Sequence, residues 1–256
     1  MKRVLLVLLL LTTFAARADW EKVAPGIEYQ RITRGTIDAH VVRVDLRNKQ
    51  LRVIASEASD RGLTVSEYAK KRKAIVAINA DYFNEQSWPI GLSAGACGTW
   101  TKGQKVSRKQ GLVGFGKRRA EIQQNTMKKR RWMSGAVSGW PLLNKDCAPL
   151  KTLPGSDHFT RAPHPRTAAG LTEDGKTMIL VVADGRREGV PGMTLPELAE
   201  FLDEQGACVA MNLDGGGSSA MWIDDRIVND VSDPVERKVG NHIAVVAASE
   251  YKGCSK

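Results

Sequence analysis

The sequence predicts an α+β fold: a mixed, largely antiparallel β-sheet with packed helices in a single compact domain. Two observations carry this. Short runs near the start alternate with a period of two, Val42, Val44 and Leu46 set against Val41, Arg43 and Asp45, and are broken by the turn residues of "RG" and "NK". Further on, apolar runs such as "TMILVVA" are separated by an amphipathic segment with strong helix-start signals.

In chain order, "IEYQRIT", "DAHVVRVDLR" and "LRVIAS" read as an antiparallel opening of strands joined by turns. "TVSEYAKKRK" reads as a helix capped by Thr64 or Ser66, its basic end suiting the negative pole of the helix dipole. "AIVAINA" is a buried strand ending at Asn79. Residues 84–165 are rich in Gly, Ser, Pro and Trp, contain the basic runs "KRR" and "KKRRW" and show weak periodicity, which predicts long loops and short edge strands forming a lid or rim. "TAAGLTEDGKTMILVVADGRREG" is a hairpin turning at "EDGK". In "TLPELAEFLDEQGA", Thr194 and Glu197 make a capping box, Leu195, Leu198, Ala199 and Leu202 line one face, and Gly206 supplies the stop. "CVAMNLDGGGSSAMWIDD" is strand, loop and strand, and "NHIAVVAAS" closes as a strand.

The chain has 256 residues, and its first eighteen have the pattern of a secretory signal peptide: Lys2 and Arg3, an apolar run from Val4 to Phe14, then "ARA" ending at Ala18. Residues 19–256 would be the mature domain, periplasmic or secreted. No other stretch approaches the roughly 20 apolar residues of a membrane span, so no transmembrane segment is expected. The formal charge is +10, and removing Lys2, Arg3 and Arg17 leaves +7. Outside the cytoplasm such a charge points to a phosphorylated or acidic glycan and not to nucleic acid. Cysteines 97, 147, 208 and 254 lack C-x-x-C spacing and fit two disulfides in an oxidising compartment. Cys97 with Cys147 and Cys208 with Cys254 is the expected pairing.

Polar residues gather at the ends of the expected buried strands: Asn79, Arg166, Asp184 with Arg186, and Asn212 with Asp214. A "DG" such as Asp184 begins is ordinarily turn chemistry, and an arginine after proline is ordinarily a surface ion pair. Asp214 differs because Gly215, Gly216 and Gly217 follow it, and ordering three glycines gives up much backbone entropy. Such a loop presents backbone N–H groups to an anion such as phosphate. The alternative use of Asp and Asn beside backbone carbonyls is a structural calcium site. Ser218 lacks a G-x-S-x-G elbow, and the chain has no Walker A or H-E-x-x-H, which removes the common serine-hydrolase, nucleotide and zinc classes.

"INADYFN", "HPRTAAGLTEDG", "LVVADGR", "GMTLPELAEFLDEQGA", "AMNLDGGGSSAMW" and "VERKVGNHIAVV", in this order over residues 74–248, resemble the phosphodiester glycosidase family, the bacterial relatives of the mannose 6-phosphate uncovering enzyme. The resemblance implies an exported hydrolase that cleaves a sugar-1-phosphodiester linkage in an envelope or extracellular glycan and requires no cofactor. The oxocarbenium-like transition state calls for a carboxylate, Asp214 by first choice and Asp184 by second. Arg166, Arg186, the Gly215, Gly216 and Gly217 amides and Ser218 would hold the phosphate. Asn79, Asn212 and Asn241 would orient sugar hydroxyls or the carboxylates, and Arg237 is either a phosphate ligand or the ion-pair partner of Asp214. Two residues depart from the family pattern. Asp81 stands where a small residue is expected and either adds a charge or caps the turn; His242 replaces an apolar residue and reads as structural. The competing class is a non-catalytic binder of anionic envelope polysaccharide. Two carboxylates in a cationic cleft would weaken such a binder, which favours catalysis.

Overall fold

A computed structural model describes residues 19–101, 110–125 and 128–254. The segment 1–18, on which the signal-peptide reading rests, lies outside the described residues.

Among the described residues every strand pairing is antiparallel, in three sheets. The largest has eight strands in the order Glu21–Ala24, Ile27–Arg34, Ile37–Asp45, Thr177–Ala183, Arg166–Leu171, Val209–Asn212, Leu142–Lys145 and Ala148–Pro149. The second runs Arg226–Ile227, Met221–Ile223, Ala74–Asn79, His242–Ala247 and Leu51–Ala55. The third runs Gly98–Thr99, Ala94–Gly95, Met133–Gly139, Gly111–Gly116 and Arg119–Gln123. One apolar core joins them: Val42, Val44 and Leu180 from the first, Val53, Val76 and Ile243 from the second, Val113, Phe115 and Val137 from the third. This is the expected α+β domain.

Both expected helices form. Thr64 caps Val65–Arg72 and exchanges hydrogen bonds with Glu67, and the helix buries Val65, Tyr68 and Ala69 against Ala77, Trp222 and Ala244 of the second sheet. Thr194 and Glu197 make the capping box of Leu195–Glu204, whose Leu195, Leu198 and Leu202 cover Ala168, Ile179 and Val181 on the outer face of the first sheet.

Three expectations are corrected. Leu51–Ala55 does not continue the opening hairpin but crosses to the second sheet and pairs with His242–Ala247. The middle third is not mainly loop: it builds the third sheet, whose strand Gly111–Gly116 is buried throughout. Its apolar pattern is muted because glycines occupy close-approach positions. A Cβ on Gly111 would fall 2.5 Å from the Gln123 carbonyl, and one on Gly139 would fall 2.6 Å from that of Asn212. The disulfides are Cys147–Cys208 and Cys97–Cys254. Antiparallel pairing of Leu142–Lys145 with Val209–Asn212 sets Cys147 beside Cys208, whose carbonyl accepts the Cys147 N–H at 3.0 Å.

Register brings the polar strand ends together. Arg166 lies opposite Ala183, Asn212 opposite Ala168, and His242 opposite Asn79. The seam between the first two sheets is closed where the Asp214 N–H donates to the Ala80 carbonyl at 2.8 Å.

Candidate active site

Asp214 leaves the strand Val209–Asn212 at this seam. Asn79 fixes it from behind: Nδ2 donates to the Asp214 carbonyl at 2.6 Å, while Oδ1 accepts from Thr167 Oγ1 at 2.8 Å. Asn79 is fully buried, so it positions the Asp214 backbone. Burial of the Asp214 carboxyl is the largest influence on it and pushes its pKa up to about 6, while Ser218, the Arg237 charge and the Gly215 N–H pull the other way. It therefore exchanges a proton close to neutrality.

The glycine loop is shaped by near contacts. Gly216 has φ +60, and a Cβ there would meet the Arg186 guanidinium at 2.9 Å; a Cβ on Gly217 would run into the paired side chains of Arg237 and Asp233. The Gly216 N–H donates to the Pro165 carbonyl at 2.8 Å, and the Gly215 N–H is turned to the Asp214 carboxylate. The loop thus offers fewer free amides than three glycines promise, and arginines supply the positive charge.

Arg166 is 3% exposed and carries no carboxylate partner among the described residues. It donates to the Met193 carbonyl at 2.9 Å and to those of Phe159 and Ala162 at 2.8 and 3.1 Å. Burial first, then the nearby Arg186 charge, brings its pKa down to about 10. Arg186 is exposed over Gly216; its backbone N–H donates to the Pro191 carbonyl at 3.1 Å, while its guanidinium has no hydrogen bond or ion pair among the described residues. Two guanidiniums without an acid are what an incoming anion would relieve. Arg237 is bound to Asp233, yet its charge still reaches Asp214.

Other members of the expected set sit behind this cleft. Asn212 donates to Tyr82 Oη at 2.6 Å and to the Trp140 carbonyl at 2.8 Å, and its buried Oδ1 has no partner. Asn241 donates to Asp81 at 2.5 Å and accepts the Ser56 and His242 N–H groups. Asp81 is fully buried and also accepts from Ser138 and Ser93. It has no cation beside it, and burial pushes its pKa up to about 7. His242 stacks on Tyr68 at 4.3 Å and bonds Ser56 Oγ at 2.7 Å; burial brings its pKa down to about 3, so it stays neutral as a structural residue.

Asp184 is not joined to Asp214 by any hydrogen bond or ion pair. It accepts from Asn229 Nδ2 at 3.2 Å, the Asp230 N–H at 3.1 Å and Arg187 at 3.3 Å. With Asp38 and His40 it offers three ligand atoms within 4.8 Å, but Arg187 already bridges the Asp38 and Asp184 carboxylates and Arg31 pairs with Asp38. Guanidinium groups thus hold the place a metal would take. Cys147, Cys208 and Glu173 also cluster, with both sulfurs committed to a disulfide.

Two site residues escaped the sequence reading. Tyr82, three positions after Asn79, bridges Asn212 and Trp140; burial, then the Asp214 charge, raises its pKa. His164 lies beside Arg166 and Arg186, and burial with these charges lowers its pKa. The "NADY" and "HPR" segments were the available signal.

Asp214 thus stands buried at a glycine loop that packs against Arg186 and lies beside Arg166, neither guanidinium having an acid partner among the described residues. The chain belongs to the phosphodiester glycosidase family, whose model matches residues 72–246. It is 29% identical over 199 residues to the bovine N-acetylglucosamine-1-phosphodiester alpha-N-acetylglucosaminidase, covering 69% of this chain and 36% of that protein. It is 28% identical over 200 residues to the uncharacterized SPbeta prophage-derived protein YomE of Bacillus subtilis strain 168, covering 71% of this chain and 29% of that protein. The chain thus spans about a third of the length of these relatives. The zebrafish N-acetylglucosamine-1-phosphodiester alpha-N-acetylglucosaminidase catalytic domain, auto-inhibited by its pro-peptide, superposes with a TM-score of 0.69 at 21% identity, covering 88% of this chain and 85% of that one.

Proposed function

We propose that this domain hydrolyses a sugar-1-phosphodiester in an envelope or extracellular glycan. The observation that carries the reading is the buried Asp214 carboxyl at the head of a glycine loop that packs against Arg186 and lies beside Arg166. The phosphodiester lies against the guanidiniums, with the anomeric carbon toward the Asp214 carboxylate. Cleavage breaks the bond between that carbon and its phosphate oxygen. The leaving group is a phosphate monoester, an anion stabilised by the guanidiniums, so protonation by a general acid matters less than in ordinary glycosidases. Water supplies the new oxygen, and the ionised Asp214 acts as nucleophile or as the base that receives the water proton. Asn79 and Asn212 hold the loop and Tyr82 in register. Asp184 braces Asn229 and the Ser219 carbonyl behind it. No step is assigned to a metal, and calcium has only a structural place in this reading.

Two disulfides suit an exported protein, and no helix among the described residues is long and apolar enough to cross a membrane. The test is sugar release from a panel of sugar-1-phosphodiesters by residues 19–256 and by its Asp214→Asn variant. Release by the parent and its loss by at least about a hundredfold in the folded variant is expected. Binding of the panel with no release would instead make the domain a glycan binder.

A further inference from the structure

Residues 82–90 form a tight hairpin that leaves the site at Tyr82. The Ile90 N–H donates to the Tyr82 carbonyl at 2.8 Å, Phe83 bridges Pro89, and the Asn84 N–H donates to the Trp88 carbonyl at 3.0 Å. Asn84 Oδ1 further accepts the Trp88 N–H at 2.9 Å. Near its tip Trp88 is 41% exposed, and at its base Ile90 is 43% exposed. A hairpin held this firmly could have buried its tryptophan; it presents it to solvent. Arg61 lies 3.9 Å over the Trp88 ring and donates to the Gln86 carbonyl at 2.7 Å. Trp100 meets Trp88 at 6.4 Å and 49°, its own ring fixed by a 2.9 Å hydrogen bond from Nε1 to the Ser56 carbonyl. Two indoles and a guanidinium meet at this surface and suit the apolar face and hydroxyls of a sugar ring.

We propose that Trp88, Trp100 and Arg61 form a second sugar subsite, which holds a unit of the substrate glycan beyond the scissile linkage. The proposal rests on the glycosidase reading and deepens it: the substrate is an oligomeric or polymeric glycan phosphate and not a lone sugar diester. Tyr82 at the base of the hairpin feels the Asp214 charge and accepts from Asn212, and two strand steps, about 7 Å, carry the hairpin from there to the Asn84–Trp88 pair. Arg61 adds a cation suited to the phosphates of such a chain.

The test compares a methyl sugar-1-phosphodiester with a phosphodiester-linked oligosaccharide of four repeats, in the parent, Trp88→Ala and Trp88→Tyr. Trp88→Ala is expected to raise KM about tenfold on the oligosaccharide with kcat kept, to leave the methyl diester within twofold, and to be rescued in large part by Trp88→Tyr. Equal effects on both substrates, or none, overturn the subsite. If the parent turns over neither substrate, the glycosidase reading fails, and calorimetric titration of the same oligosaccharide decides the subsite alone. Binding weakened about tenfold in Trp88→Ala supports it, while unchanged or undetectable binding by the parent overturns it.

Discussion

The Asp214 carboxyl is sunk beside charges that only partly offset its loss of water. With its pKa about 6, the ionised form needed for attack is lost as pH falls. kcat/KM should therefore drop about tenfold per pH unit below 6, and a pH–rate profile checks this. Arg186 holds no internal partner, so Arg186→Ala should lower kcat/KM about ten- to a hundredfold while leaving the thermal midpoint nearly unchanged. Arg166→Ala, which removes a buried guanidinium and its three hydrogen bonds to carbonyls, should lower both. Asp81 tests the electrostatics separately. Its folded pKa, about 7, is raised, so its contribution to stability is full below about pH 4 and is lost as pH rises through 7. Denaturation at pH 4 and pH 8 should show Asp81→Asn gaining on the parent by up to about 4 kcal/mol across that interval. Asp214 was legible because three glycines after a lone acid have no stabilising purpose. Tyr82 and His164 were not, since their neighbours come from Trp140, Asn212 and Arg186 through strand register. Asp184 ranks second to Asp214 in sequence, where its "DG" reads as turn chemistry; its bonds to Arg187, Asn229 and Asp230 are visible only in the fold.

Among the elements, the glycine loop and the third sheet use the same property for different ends. Gly216 needs φ +60 and room for Arg186, so Gly216→Ala should cost about 1 kcal/mol or more of stability and a larger share of activity, read by comparing the thermal midpoint with kcat/KM. The helix Leu195–Glu204 was fully written in sequence, because a capping box and an apolar face are local signals. The strand Gly111–Gly116 was not, because Gly111, Gly114 and Gly116 replace the side chains that would have shown its alternation with the space another backbone or a methionine fills.

Across the whole molecule, three sheets share one core, and two covalent ties close its ends. Cys97–Cys254 spans 157 residues and Cys147–Cys208 spans 61. Each should stabilise by about 4–5 kcal/mol in the chain-entropy limit, so reduction should lower the thermal midpoint by about 10 °C or more in a scan with and without reductant. The antiparallel α+β class was legible because period-two patterning is a sum over many residues. The sheet assignment of Leu51–Ala55 and the cysteine partners depend on which distant strands meet, which no local pattern encodes. The central claim is that Asp214 directs water to the anomeric carbon and the phosphate merely departs. Hydrolysis of a turned-over sugar-1-phosphodiester in ¹⁸O-water, with both products analysed by mass, tests it most directly. Label in the released sugar hydroxyl and none in the phosphate monoester is the predicted result; label in the phosphate would show attack at phosphorus and contradict the account.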